Sequence, residues 1–278
     1  MIDNQEKTII NFTPNGMVPM KDRIPTVPIS SQEIIEQVHE AYELGITMVH
    51  VHARKKSGKP SSEAKDYAPI IEGIRKSCPD LVICASLSGR DVSDPVQRSE
   101  VLSLYPDMAS LTLSSLNFPT QASLNSPSTI QTLATRIKEF GAHPELEVFD
   151  LGMANYLLYL IRKKLICAPF YVNIILGNIA GAQSRFEDIA AISTKMPPHA
   201  HIALGGIGQY QIDAHLMALG AGLGVRIGLE DNVYFDRSKK SITTNMELLR
   251  RMHQLIDLSG RKMMSARDFG QLGFYNLN

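Results

Sequence analysis

The sequence predicts a (β/α)8 barrel, and three observations carry that prediction. Eight short apolar runs alternate with helical stretches from residue 7 onward, the order of a parallel α/β sheet. No Pro/Ser-rich linker, repeat or shift in composition divides the 278 residues, so one barrel domain over 1–278 is expected. An open doubly wound sheet is the alternative, but no Gly-x-Gly-x-x-Gly follows the first run.

The elements follow in order. Thr8-Ile-Ile-Asn-Phe12 reads as the first strand, followed by a loop punctuated by Pro14, Gly16, Pro19 and Pro25. Ser30 with Glu33 forms a capping box that starts a helix. Ile34, Val38, Ala41 and Tyr42 mark its apolar face, and Gly45 ends it. Thr47 to Arg54 is the second strand, and a polar loop from Ser57 to Ser62 leads to a helix near 64–77. Leu81–Leu87 and Met108–Leu113 are the third and fourth strands, and Leu146–Phe149 belongs to the fifth. A helix over 153–164 precedes the sixth strand, Phe170–Leu176, rich in β-branched and aromatic residues. A helix near 185–194, the strand His201–Leu204, a helix over 209–219 and the strand Gly222–Gly228 complete the alternation. A long helix over 240–257 closes it.

Composition narrows the function. Lys+Arg and Asp+Glu number 28 each, so no basic excess points to nucleic acid or an anionic membrane surface. No apolar run approaches the 18 residues of a membrane span, and Met1–Lys7 lacks the apolar core of a signal peptide. Cys78, Cys84 and Cys167 form no Cys-x-x-Cys pair. A sparse, odd set reads as reduced thiols in a cytoplasm.

The second strand carries the chemistry. His50 and His52 alternate with Val49 and Val51, so both imidazoles project from one face, roughly 7 Å apart along the backbone. Two such rings reach one ion at about 2.0–2.1 Å from each nitrogen. In a barrel the strand ends build the active site. Here those ends carry Arg54; Ser86, Ser88 and Arg90; Ser110 and Thr112; Glu145, Glu147 and Asp150; Asn173 and Asn178; and Arg226 with Glu230-Asp231-Asn232. Catalytic zinc takes three protein ligands and an open position, and Glu147 and Glu230 are the candidates for the third. Glu230 follows the last strand, beside the first two. The other histidines fall on helices or at strand starts, which weighs against a two-metal hydrolase.

With those residues placed, the chain resembles the beta-keto acid cleavage enzyme family from about Ile9 to Arg267. The likeness rests on Val49-His50-Val51-His52-Ala53-Arg54, Gly58-Lys59-Pro60-Ser61, Ser86-Leu87-Ser88-Gly89-Arg90, Pro144-Glu145-Leu146-Glu147 and Arg226-Ile227-Gly228-Leu229-Glu230-Asp231-Asn232. The resemblance implies one zinc held by His50, His52 and Glu230. It also implies condensation of a β-keto acid with acetyl-CoA, then retro-Claisen cleavage to acetoacetate and a new acyl-CoA. By the same likeness Asp231 is the base, oriented by Arg226 and Glu147. Ser86 and Ser110 meet the substrate carboxylate, and Gly89 and Val18 belong to the substrate site. A homo-oligomer such as a tetramer is expected.

One departure bears on the substrate. A family member acting on an amino-bearing keto acid has a glutamate where this chain has Val18, two residues after Gly16. Valine cannot pair with an ammonium, and Met17, Val18 and Met20 offer apolar surface, so a neutral, apolar or weakly polar tail is expected. Lys55, Lys56 and Lys59 in the next loop are candidates for coenzyme A phosphates. A metal-dependent aldolase or hydrolase on the same barrel is the competing enzyme reading. A zinc-stabilised barrel without activity would need a closed, four-ligand site.

Overall fold

A computed structural model describes residues 7–278; the N-terminal segment read above for a signal peptide lies largely outside them. Eight parallel strands close into a barrel. They are β1 (Ile10–Phe12), β2 (Met48–Val51), β3 (Val82–Ala85), β4 (Met108–Thr112), β5 (His143–Val148), β6 (Tyr171–Leu176), β7 (His201–Gly206) and β8 (Gly224–Ile227). β8 pairs with β1 through Arg226 opposite Asn11, which closes the ring. Most strands are buried along their whole length, as expected where helices cover a parallel barrel.

The crossover helices are α1 (Ser31–Leu44), α2 (Ala64–Ser77), α3 (Pro95–Arg98), α4 (Pro127–Glu139), α5 (Leu151–Arg162), α6 (Phe186–Ser193), α7 (Tyr210–Ala221) and α8 (Asn245–Leu258). The capping box of α1 is present as read: Ser30 Oγ accepts from Glu33 N and the Glu33 carboxylate accepts from Ser30 N. α8 starts at Asn245, not near 240, because Thr244 and Glu247 form a second capping box there. Residues 240–243 instead run as a loop in which Ile242 bridges Tyr234. α3 and α4 were not anticipated. α4 carries a start signal, Ser126 as cap with Pro127 in the first turn, and buries Ile130, Leu133, Ala134 and Ile137.

The floor of the barrel is closed by the C-terminal segment. Lys262–Met263 pairs in parallel with Lys7–Thr8, so the predicted first strand is split into an edge pair and β1. Phe269 and Phe274 stack at 4.3 Å between centroids and meet Tyr171 edge-on. Both are fully buried with Ile9, Met48, Val82 and Met108. Among the described residues no helix is long and apolar enough to cross a membrane.

Candidate active site

At the opposite end, the C-terminal ends of the strands surround a cavity of about 720 Å³. Nine of the ten residues singled out from sequence line it: the polar His50, His52, Ser86, Ser110, Glu147, Arg226, Glu230 and Asp231, and the apolar Val18. Gly89 is the exception. The position of a Cβ on it is taken by the Arg98 guanidinium and Leu124 O, so Gly89 packs the loop while Ser88 and Arg90 reach the cavity. Lys55, Lys56 and Lys59 are not among the lining residues, and Lys55 pairs with Glu63 at 2.5 Å.

His50, His52 and Glu230 converge. The Nε2 atoms of the two histidines lie 3.1 Å apart, and His52 Nε2 lies 3.2 Å from Glu230 Oε1. Ligands about 2.0–2.1 Å from one tetrahedral ion stand about 3.3 Å from each other, so this spacing fits a shared ion. A further observation agrees: Glu230 Oε2 is buried without a hydrogen-bond partner and faces His50 Nε2 at 4.0 Å. Glu147, the other candidate third ligand, is occupied elsewhere, accepting from Thr112 Oγ1 at 2.6 Å.

The loop after β1 reaches the site because position 16 is glycine. Gly16 has φ +55°, and a Cβ there would sit 2.5 Å from Glu230 Cγ. Asn15 ties this loop to β2 by donating to His52 O at 2.8 Å. Arg54 is buried beneath it and donates to the carbonyls of Gly16, Gly58 and Pro19, which holds Val18 at the cavity wall.

Glu145 is the part of the site that sequence reasoning passed over as one strand-end acid among several. It is fully buried. Its Oε1 accepts from Asn11 Nδ2 and Asn173 Nδ2, both at 2.6 Å. Its Oε2 takes His50 Nδ1 at 2.5 Å and the Cys84 thiol at 3.2 Å. A carboxylate on the far nitrogen orients a ligating histidine and presents Nε2 outward. His50, Cys84 and Glu145 also come close enough to hold an ion themselves, yet both Glu145 oxygens are already taken by N–H and S–H donors.

Arg226 organises the acids around it. It donates to Asp231 Oδ2 through Nε at 2.9 Å and forms an ion pair with Glu230 Oε1 through Nη2 at 2.8 Å. Its Nη1 lies 3.7 Å from both Glu145 and Glu147. Burial opposes ionisation of every member, and the neighbours decide who remains charged. Burial would raise Glu145, but His50 and Arg226 bring it down to about 2. Burial likewise opposes Glu230, which Arg226 and the histidines hold well below the usual carboxylate range. For Glu147 and Asp231 burial prevails over Arg226 and their proton affinity rises. Burial would lower His50, which its two carboxylates lift to about 9, while burial drops His52 to about 4.

A closed parallel barrel whose mouth gathers two histidines, an arginine and several acids around a cavity is an enzyme of the (β/α)8 class. The chain belongs to the beta-keto acid cleavage enzyme family, whose profile matches residues 7–272. It is 34% identical over 262 residues to the 3-oxoadipate:acetyl-CoA acetyltransferase of Cupriavidus necator, covering 93% of this chain and 91% of that protein. It is 31% identical over 268 residues to the 3-keto-5-aminohexanoate cleavage enzyme of Fusobacterium nucleatum, covering 96% and 97%. In fold it is similar to the apo structure of ObcA, with a TM-score of 0.78 at 18% identity, over 91% of this chain and 66% of that one.

Proposed function

We propose that this enzyme condenses a β-keto acid with acetyl-CoA and cleaves the product to acetoacetate and a new acyl-CoA. The observation that carries the reading is the Arg226–Asp231 pair beside the His50, His52 and Glu230 cluster, in a chain of this family. The donor set fits one divalent ion, and zinc is the ion it suits best. Bound there, the ion would supply Lewis-acid polarisation of a keto oxygen.

The chain's own residues account for the rest. Asp231, buried and raised in proton affinity, takes a proton from C2 of the keto acid, and Arg226 holds the receiving carboxylate in place. The C2 carbanion attacks the acetyl thioester carbonyl and expels the coenzyme A thiolate. That thiolate then attacks the original keto carbon and breaks its bond to C2. The acetoacetate carbanion so released regains its proton from Asp231. Ser110 Oγ accepts from Leu87 N at 3.0 Å, which leaves its own proton to donate to the substrate carboxylate. Ser86 presents a hydroxyl to the same cavity. Glu145 sets the tautomer of His50. A second copy of the chain is expected to complete a homo-oligomer.

Relatives named for an amino substrate and for a dicarboxylic one show that the tail varies within the family. Val18 at the cavity wall offers nothing to an ammonium. The test is isotopic. With acetyl-CoA labelled in both acetyl carbons, acetoacetate should carry the label at C3 and C4 and the new acyl-CoA none. Unlabelled acetoacetate, or product formed without acetyl-CoA, would point to the competing aldolase or hydrolase.

A further inference from the structure

Besides the exposed Arg23, four arginines stand at the mouth of this barrel, and three of them give donors to fixed partners, although Arg226 Nη1 makes no hydrogen bond. Arg54 gives its N–H groups to loop carbonyls, Arg98 to Leu87 O, Leu124 O and Asn125 Oδ1, and Arg226 to Asp231, with Glu230 as its ion-pair partner. Arg90 differs. It lines the cavity, is only partly exposed, and none of its donors has a hydrogen-bond or ion-pair partner among the described residues. Its guanidinium lies 3.5 Å over the ring of Phe118, which is itself braced edge-on by Phe149. The stacking fixes the plane of the fork while leaving its donors open.

A preorganised guanidinium with unspent donors in a cavity matches a carboxylate, which it binds with two parallel hydrogen bonds. The reacting carboxylate is already served by the deeply buried Ser86 and Ser110. Arg90 stands four residues beyond Ser86, on the more exposed part of the same loop. Met17, Val18, Phe149, Ile175 and Ile207 give part of the wall an apolar face that covers methylene groups, while the other cations on the wall outside the catalytic cluster, Arg23 and Lys239, are exposed at its rim. From this we infer that the substrate is a β-keto acid with a second carboxylate at the end of its tail, held by Arg90. The inference rests on the proposed reaction for the position of the first carboxylate. It replaces the neutral tail expected from Met17, Val18 and Met20 alone, because those residues meet the middle of the tail and not its end.

Binding tests this separately from turnover. The metal-loaded enzyme, without acetyl-CoA, is titrated with 3-oxo dicarboxylates of five to seven carbons and with the matching 3-oxo monocarboxylates. Wild type should bind the best dicarboxylate at least tenfold more tightly than its monocarboxylate. Arg90→Gln should erase that difference while leaving monocarboxylate binding and the KM for acetyl-CoA unchanged, and Arg90→Lys should restore part of it. Circular dichroism checks that each variant folds; if Arg90→Gln does not, Arg90→Lys and Phe118→Leu should each narrow the preference. Equal affinities in wild type, or a preference that survives in Arg90→Gln, would overturn the inference. A raised KM for acetyl-CoA with the preference intact would assign Arg90 to the coenzyme and overturn it equally. If dicarboxylates bind as expected but no keto acid yields acyl-CoA, the proposed reaction fails and the carboxylate site stands.

Discussion

The two ends of the barrel are built from the same strands and obey opposite rules. At the floor, Tyr171 begins β6 and packs against Phe269 and Phe274, in an apolar cluster with the rings of His143 and His201 at its edge. Two residues along the same strand, Asn173 turns its amide to Glu145, and the interior becomes a web of acids around one guanidinium. The floor gains from removing apolar area from water. The mouth keeps Glu230 Oε2 and Arg226 Nη1 buried without hydrogen-bond partners, a cost that a folding-only design would avoid. Stability is therefore concentrated below and chemistry above.

Substitutions can break or sharpen this division. The largest effect is expected at Asp231. Asp231→Asn keeps the shape and removes the basic oxygen, so kcat should fall by about 10²–10⁴ while metal content and melting temperature hold. A variant within a few-fold of wild type would move the role to Glu147. The floor should respond in the other direction. Phe274→Ala empties a fully buried ring position and should cost about 3–5 kcal/mol in chemical unfolding, with kcat of the folded fraction little changed. Loss of kcat in well-folded Phe274→Ala would deny the separation. The smallest effect belongs to Val18, at the edge of the cavity and 67% exposed. Val18→Glu supplies a charged acceptor, and such bonds contribute about 1.5–3 kcal/mol, so the ratio of kcat/KM for an amino-bearing keto acid over others should rise roughly ten- to a hundredfold. An unchanged ratio would show that the tail does not pass this loop.

How much of this was legible in the sequence follows the same division. Strand order and the His50/His52 pair were readable because period-two alternation is local. Glu230 and Asp231 were readable because they follow a strand end directly. Glu145 was not, because its meaning lies in Asn11, Cys84 and Asn173 on three other strands, brought together only when the barrel closes. Arg90 was visible as a strand-end arginine, but its unspent donors show only by contrast with Arg54, Arg98 and Arg226. The aromatic floor also went unread, since Phe269 and Phe274 lie beyond the last repeat and are recruited from the C-terminal segment. α4 was missed although its Ser-Pro start was there to be seen.

His52→Ala tests the central claim most directly, because His52 contacts both His50 and Glu230 yet contributes nothing to the floor. Metal content per chain, acyl-CoA formation and the melting temperature of the metal-free protein are measured together. The account predicts about one divalent ion per wild-type chain, loss of most of that ion and of the activity in the variant, and matching metal-free melting temperatures. Full activity with stoichiometric metal in His52→Ala, or full wild-type activity in a metal-free preparation, would contradict it.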